Sequence, residues 1–210
     1  MTNATQTTLP PSVTATGARA RILAAGLELF ADRGFHATSI RDIAAAAGMQ
    51  SASLYTYFSA KESILAELVL IGHEEHHGRL LAAMLEAGAD PRAQLVAIVR
   101  THVLAHCDFP LLGIVTNQEL HNLSPEAAAP ALALRRHSEA MLRGVIDRGA
   151  REGLFDVTHA EATERAIAGM GINAALWWPT RAAELSAEEL AEADCVLALR
   201  MVGVADPTMR

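Results

Sequence analysis

The stretch from Thr38 to Phe58, TSIRDIAAAAGMQSASLYTYF, limits the folds open to this chain more than any other segment. An alanine-rich half and a polar half are separated by Ala47-Gly48-Met49, which predicts a helix over Ile40 to Ala46, a tight turn, and a second helix over Ser51 to Tyr57. Ala44 is small enough to let two helices approach closely, Gly48 can take a turn conformation costly for other residues, and Leu54 is spaced to pack back into the crossing. This is the spacing of a helix-turn-helix. The second helix carries Gln50, Ser51, Ser53, Thr56 and Tyr57, where a purely structural segment would bury more of its surface. Laid in a DNA major groove, such a helix turns its first residues toward base edges, so Gln50, Ser51 and Ser53 are the expected base contacts. Arg41, on the outer face of the preceding helix, suits a solvated surface and a phosphate contact equally. No Arg or Lys lies on the second helix, so Arg-to-guanine readout from it is not expected.

Around this segment, Arg21 to Leu65 resembles the DNA-binding domain of the TetR family of transcriptional regulators. The resemblance rests on Leu29-Phe30 with Gly34-Phe35, Thr38-Ser39-Ile40, Asp42-Ile43-Ala44 with Ala47-Gly48, Leu54-Tyr55-x-Tyr57-Phe58, and Lys61-Glu62, in order and at the family's spacing. It implies phosphate contacts from Thr38, Ser39, Tyr55, Tyr57 and Lys61, which would position the helix without specifying sequence. Packing of the ring is the alternative for Tyr55. Two departures stand out: Gln50 occupies the place of a capping Ser, and Ala52 that of the usual Gly.

At 210 residues the chain has room for a small domain plus a larger one. Helix formers dominate, and no stretch alternates Val, Ile and Thr as strands do, so an all-α fold is expected. Net charge is −7, which at first disfavours a nucleic-acid partner. Its distribution reverses that: residues 1–61 hold five Lys/Arg against three Asp/Glu, a balance of +2, and the remainder twelve against twenty-one, a balance of −9. Two cysteines are too few for a disulfide framework, no signal-peptide pattern precedes the first helix, and no apolar run is long enough for a membrane span. A cytoplasmic protein without membrane association is expected.

Punctuation along the chain predicts nine helices, three in a DNA-binding head and six in a ligand-binding and dimerisation body. Residues 1–16, polar and aperiodic with Pro10-Pro11, read as a disordered arm, residues 17–61 as the head and residues 62–210 as the body. Capping boxes are expected at Ser59 to Glu62, Thr158 to Glu161 and Ser186 to Glu189, with Asp90-Pro91, Pro110 and Ser124-Pro125 opening further helices. The helix starting at Ala60 runs to about Glu86, long enough to connect head and body.

Within the body, His73/His77 and His102/His106 are i, i+4 pairs on consecutive helices, with His76, Cys107 and Asp108 nearby. Three roles are compatible with them: polar lining of a ligand cavity by His102 and His106, structural histidines satisfying one another, or a transition-metal site. Leu132 to Phe155 concentrates Arg135, Arg136, Arg143, Arg148 and Arg151, either as a solvated face paired with Glu139 and Asp147 or as an anion-binding mouth on an apolar pocket. Ile167, Met170, Ala174, Leu176, Trp177, Trp178, Leu190, Val196, Leu197, Leu199 and Val202 give the last two helices more apolar surface than one internal face needs. A four-helix dimer interface accounts for the excess and is similar to how TetR-like proteins pair. A homodimer would read an inverted-repeat operator in double-stranded DNA. The Arg-rich stretch, Gly171-Ile172-Asn173 to Trp177-Trp178-Pro179 and the Ser186 start also resemble the body of a TetR branch responding to acyl-CoA thioesters. That resemblance implies Arg135, Arg136, Arg143, Asn173 and Trp177 as effector contacts. No nucleophile-base spacing, phosphate loop or closed metal motif is present, so neither an enzyme nor a resident cofactor is expected. The expected function is a ligand-responsive repressor, with a metal-sensing repressor of the same fold as the alternative.

Overall fold

A computed structural model of the protein describes residues 9–204. These residues form α1 (Gly17–Ala37), α2 (Ile40–Ala46), α3 (Ser51–Leu54), α4 (Lys61–Glu86), α5 (Pro91–Asp108), α6 (Pro110–Gln118), α7 (Pro125–Arg151), α8 (Ala160–Trp177) and α9 (Ala187–Met201). Single turns of 3-10 helix follow at Leu120–Asn122 and Trp178–Thr180. No strand occurs among the described residues, so the all-α class holds. No single described helix is long and apolar enough to cross a membrane. Of the expected N-terminal arm, residues 1–8 lie outside the described residues and 9–16 carry a turn but no helix.

Most helix starts follow from local chemistry. The Asp90 carboxylate accepts from the N–H groups of Arg92 and Ala93 with Pro91 just inside the helix, and Ser186 and Glu189 form a reciprocal capping box. Two expected boxes are replaced by other contacts. At α8, His159 is the N-cap without a side-chain cap bond, and Glu161 is drawn to Arg165 one turn on. At α4, the Glu62 carboxylate accepts the N–H of Ser124 at 2.8 Å, while the Ser63 hydroxyl accepts the N–H of Ala60. In both cases an acidic group meant for the backbone of its own first turn has found another donor.

The chain divides into two compact units, one running to Glu75 with Leu111–Leu132 added, the other comprising His76–Pro110 and the chain from Ala133 onward. In the first, the fully buried side chains include Ile22, Leu23, Leu27 and Phe30 of α1, Ile43 and Ala44 of α2, Leu54 of α3, and Ile64, Leu65, Leu68 and Val69 of α4. This grouping differs from the segments 17–61 and 62–210 because the first half of α4 buries its apolar face here. In the second unit α5 packs chiefly against α9 and α8. Leu95, Ile98, Val99, Ile146, Ile167 and Ala198 belong to one core, and Val103, Cys107, Ala174, Leu190 and Ala191 to a smaller one.

Candidate nucleic-acid interface and ligand-binding residues

The first unit builds a buried platform under α2 and α3. Gly34 breaks α1 with φ 78°, and Gly48 turns the chain between α2 and α3 with φ 69°, both in the left-handed region that favours glycine. Ala44 and Leu54 are buried at the crossing, as their spacing demands. Ser39 caps α2: its hydroxyl accepts the N–H of Asp42 at 3.1 Å, and the Asp42 carboxylate accepts the Ser39 N–H and hydroxyl at 2.9 and 2.6 Å. Those bonds, the hydroxyl's first, hold the Asp42 carboxyl below the ordinary carboxylate value.

The helix expected over Ser51 to Tyr57 is shorter, because the carbonyls of Ser53 and Leu54 accept N–H groups three residues on and the Thr56 hydroxyl also donates to Ser53 at 2.7 Å. Gln50 is its N-cap but makes no side-chain cap bond, consistent with its departure from the usual Ser. Gln50, Ser53 and Arg41 are exposed and Ser51 is half-buried. Tyr55 and Tyr57 keep 53% and 43% of their surface open, so the packing role considered for the Tyr55 ring does not hold.

Thr38 and Lys61 face inward instead. Thr38 is 1% exposed, and its hydroxyl donates to the carbonyls of Gly34 at 2.9 Å and Leu29 at 3.2 Å. The Lys61 ammonium donates to the carbonyls of Phe35 and Thr38 and lies 4.0 Å from the centre of the Phe35 ring. Burial pushes its pKa below the ordinary Lys value. Both side chains close the end of α1, a duty that leaves Thr38 no access to phosphate and directs the Lys61 charge into the fold. Arg21, exposed beside the turn with its Nε 3.3 Å from the carbonyl of Ala47, is a basic residue of this surface that helix periodicity did not single out.

In the second unit, the residues expected to gather around an effector separate. His102 and His106 are buried on α5 and joined by half-buried His76, one ligand nitrogen of each lying within 4.8 Å of the others. His77, expected to pair toward them, turns to the Ser138 hydroxyl at 3.1 Å and the His137 ring. Cys107 is buried in the smaller core with its thiol pushed up to about 12 by desolvation, and Asp108 pairs with Arg79, so neither joins the histidines. Arg135 pairs with Glu139 at 3.2 Å, Arg143 with buried Glu164 at 2.5 Å, and Arg136 is exposed. Asn173 and Trp177 lie on the exposed face of α8. A groove of about 290 Å³ opens between the end of α4, the start of α5 and α7, lined by apolar Met84, Ala140, Met141, Gly144 and Val145 and by polar Gln94, Arg148 and Arg151. The Gln94 side chain donates to the carbonyls of Met84 and Gly88 and accepts from Arg148, holding that guanidinium beside the groove. Arg148 and Arg151 stood in the Arg-rich stretch, but their face of α7 could be assigned only once its neighbours were known.

The apolar residues of α8 and α9 also divide. Ile167, Ala174, Leu190, Leu199 and Val202 are buried in the cores of their own unit. Leu176, Trp177, Leu197 and Met201 are exposed, with Ala162, Ala166 and Gly169 on the same open side of α8.

Comparison with known proteins accounts for both units. Residues 22–68 match the family described as bacterial regulatory proteins, tetR family, and residues 88–202 match the tetracyclin repressor-like C-terminal domain. The HTH-type transcriptional repressor KstR2 of Rhodococcus jostii (strain RHA1) is 32% identical over 140 residues, covering 66% of this chain and 68% of the relative. The crystal structure of a tetR-family regulatory protein from Rhodococcus RHA1 superposes with a TM-score of 0.84 at 34% identity, over 91% of this chain and all of that one. AibR in complex with isovaleryl coenzyme A and operator DNA shares the fold, with a TM-score of 0.77 at 22% identity over 89% of this chain and 98% of that one. The chain belongs to the TetR family of bacterial transcriptional regulators.

Proposed function

We propose that the protein is a ligand-controlled transcriptional repressor that binds an inverted-repeat operator as a homodimer and is released by a small amphiphilic effector of the acyl-CoA type. The observation that carries the DNA-binding part is the exposed cluster of Gln50, Ser53, Tyr55 and Tyr57 on a buried three-helix crossing. Short polar groups on the first turn suit base edges, and the tyrosine hydroxyls and Arg41 suit flanking phosphates. The Ser39 hydroxyl, engaged with Asp42 yet exposed, joins that phosphate set.

Dimerisation is supported by the open face of α8 and α9, where small residues let helices approach closely and Leu176, Trp177, Leu197 and Met201 would leave water. Two heads paired this way would address successive major grooves about 34 Å apart. The effector class is supported by the groove along α7, whose apolar lining suits a short acyl chain and whose lining arginines suit an anionic group. The related KstR2 is a repressor, and the fold accommodates isovaleryl coenzyme A in AibR. An effector can release DNA only as far as it prefers the form that does not bind the operator.

Selection of bound duplexes from a random pool, followed by footprinting, tests the first part: an inverted repeat is expected, and enrichment of no sequence rejects it. Thermal shift with a panel of acyl-CoAs tests the second. Stabilisation that disappears in Arg148→Ala and Arg151→Ala is expected, and no stabilisation by any thioester rejects the effector class.

A further inference from the structure

Among the described residues of the second unit, His76, His102 and His106 form the most concentrated set of potential ligand atoms, and the hydrogen bonds of His102 and His106 show which nitrogen of each carries a proton. His102 Nε2 lies 2.8 Å from the carbonyl oxygen of Ala168, which can only accept, so Nε2 carries the proton and Nδ1 keeps its lone pair. That lone pair faces His76 Nε2 at 2.7 Å, which must donate. His106 Nδ1 donates to the carbonyl of His102 at 2.8 Å, leaving its Nε2 lone pair available. The three rings meet edge-on, at 72–74° to one another with centroids 4.6–5.6 Å apart.

Two of these imidazoles are thus anchored through one nitrogen by a backbone carbonyl while the other points into the cluster, as in metal-ligating histidines whose second nitrogen is fixed by an outer partner. Burial disfavours charge on both: His102 is pushed down to about 3, chiefly by desolvation and then by His106, and His106 is lowered by desolvation. With Nε2 of His102 and Nδ1 of His106 donating to carbonyl oxygens, the second nitrogen of each ring keeps its lone pair. Room for the His102 ring is made on α8, since a Cβ at Gly171 would sit 2.3 Å from its Cδ2. Imidazole nitrogens select zinc-type transition metals, and the set supplies no oxygen ligand for Mg²⁺ or Ca²⁺.

We infer that His76, His102 and His106 bind one divalent transition-metal ion of the zinc type, with a coordination position left open to water. Zn–N bonds of about 2.0–2.1 Å place ligand nitrogens roughly 3.4 Å apart. The 2.7 Å pair must open to reach that spacing, a movement that half-buried His76 can make by rotating its ring. To ligate through Nε2, His76 gives up the proton it donates to His102.

The test uses the full chain, stripped of metal with a chelator and titrated with Co²⁺ followed by visible absorption, and with Zn²⁺ followed by calorimetry and thermal shift. The expected result is one ion per protomer, tetrahedral Co²⁺ bands displaced by Zn²⁺, and binding more than about tenfold weaker in His76→Ala and in His106→Gln. His76→Ala removes a half-buried side chain and decides the matter should the buried variant fail to fold. Absence of saturable binding, or binding unchanged in a folded His76→Ala, would overturn the assignment. Neither result depends on operator binding, so failure here leaves the DNA-binding reading intact.

Discussion

Lys61 donates from its ammonium to the carbonyl oxygen of Thr38 at 2.7 Å, closing the end of α1 from the first residue of α4. The same ammonium reaches the carbonyl of Phe35 at 2.5 Å, so one side chain bonds two carbonyls where α1 ends. Lys61→Met keeps the aliphatic stem but removes both bonds. It is expected to lower stability by about 1–3 kcal/mol, measured as a shift in the urea midpoint.

Gln50 stands at the start of α3 with no capping duty for its side chain. Gln50→Ala should therefore leave the unfolding curve unchanged while weakening operator binding by about 1–3 kcal/mol and binding to random duplex much less. Competition titrations with the two duplexes give the comparison, and an equal loss on both would remove Gln50 from the base-reading set.

Glu62 accepts the N–H of Ser124, and that backbone bond, followed by the Ser124 side chain, holds its carboxyl below the ordinary value near 4.5. A carboxyl whose folded pKa is depressed contributes stability that is present above its unfolded value and lost as pH falls through the folded one. Melting temperature should thus decline on acidification below about pH 4.5. In Glu62→Gln part of that decline should be missing, which melts recorded from neutral pH downward would reveal.

Leu197 is 42% exposed on α9, on the open apolar side shared with Met201. Leu197→Glu places a charge in the proposed dimer interface, so sedimentation should find a monomer while circular dichroism keeps the helix content. Operator affinity should fall with it, because a single head makes only half the contacts.

Gly171 lies within α8, where an alanine would ordinarily raise helix stability by roughly 0.5–1 kcal/mol. Here the added Cβ meets the His102 ring, which is itself bonded to the carbonyl of Ala168. The sign should reverse, with Gly171→Ala costing about 1–3 kcal/mol in urea denaturation.

What the residues alone determined is local. Ala44, Gly48 and Leu54 specify the helix crossing because size, backbone freedom and spacing act over a few residues, and Asp90-Pro91 and Ser186 to Glu189 specify helix starts for the same reason. Tertiary structure decided which way a side chain faces when either direction satisfies the local helix. Lys61 looks like a phosphate contact until the carbonyls of Phe35 and Thr38 are found beside it, and Glu62 looks like its own helix's cap until Ser124 arrives from elsewhere in the chain. The histidine spacing on α5 was visible, yet whether His73, His76 or His77 completes the set depends on the rotation of α4 against α5. A rotation of 100° per residue separates these choices, and only packing between helices fixes it.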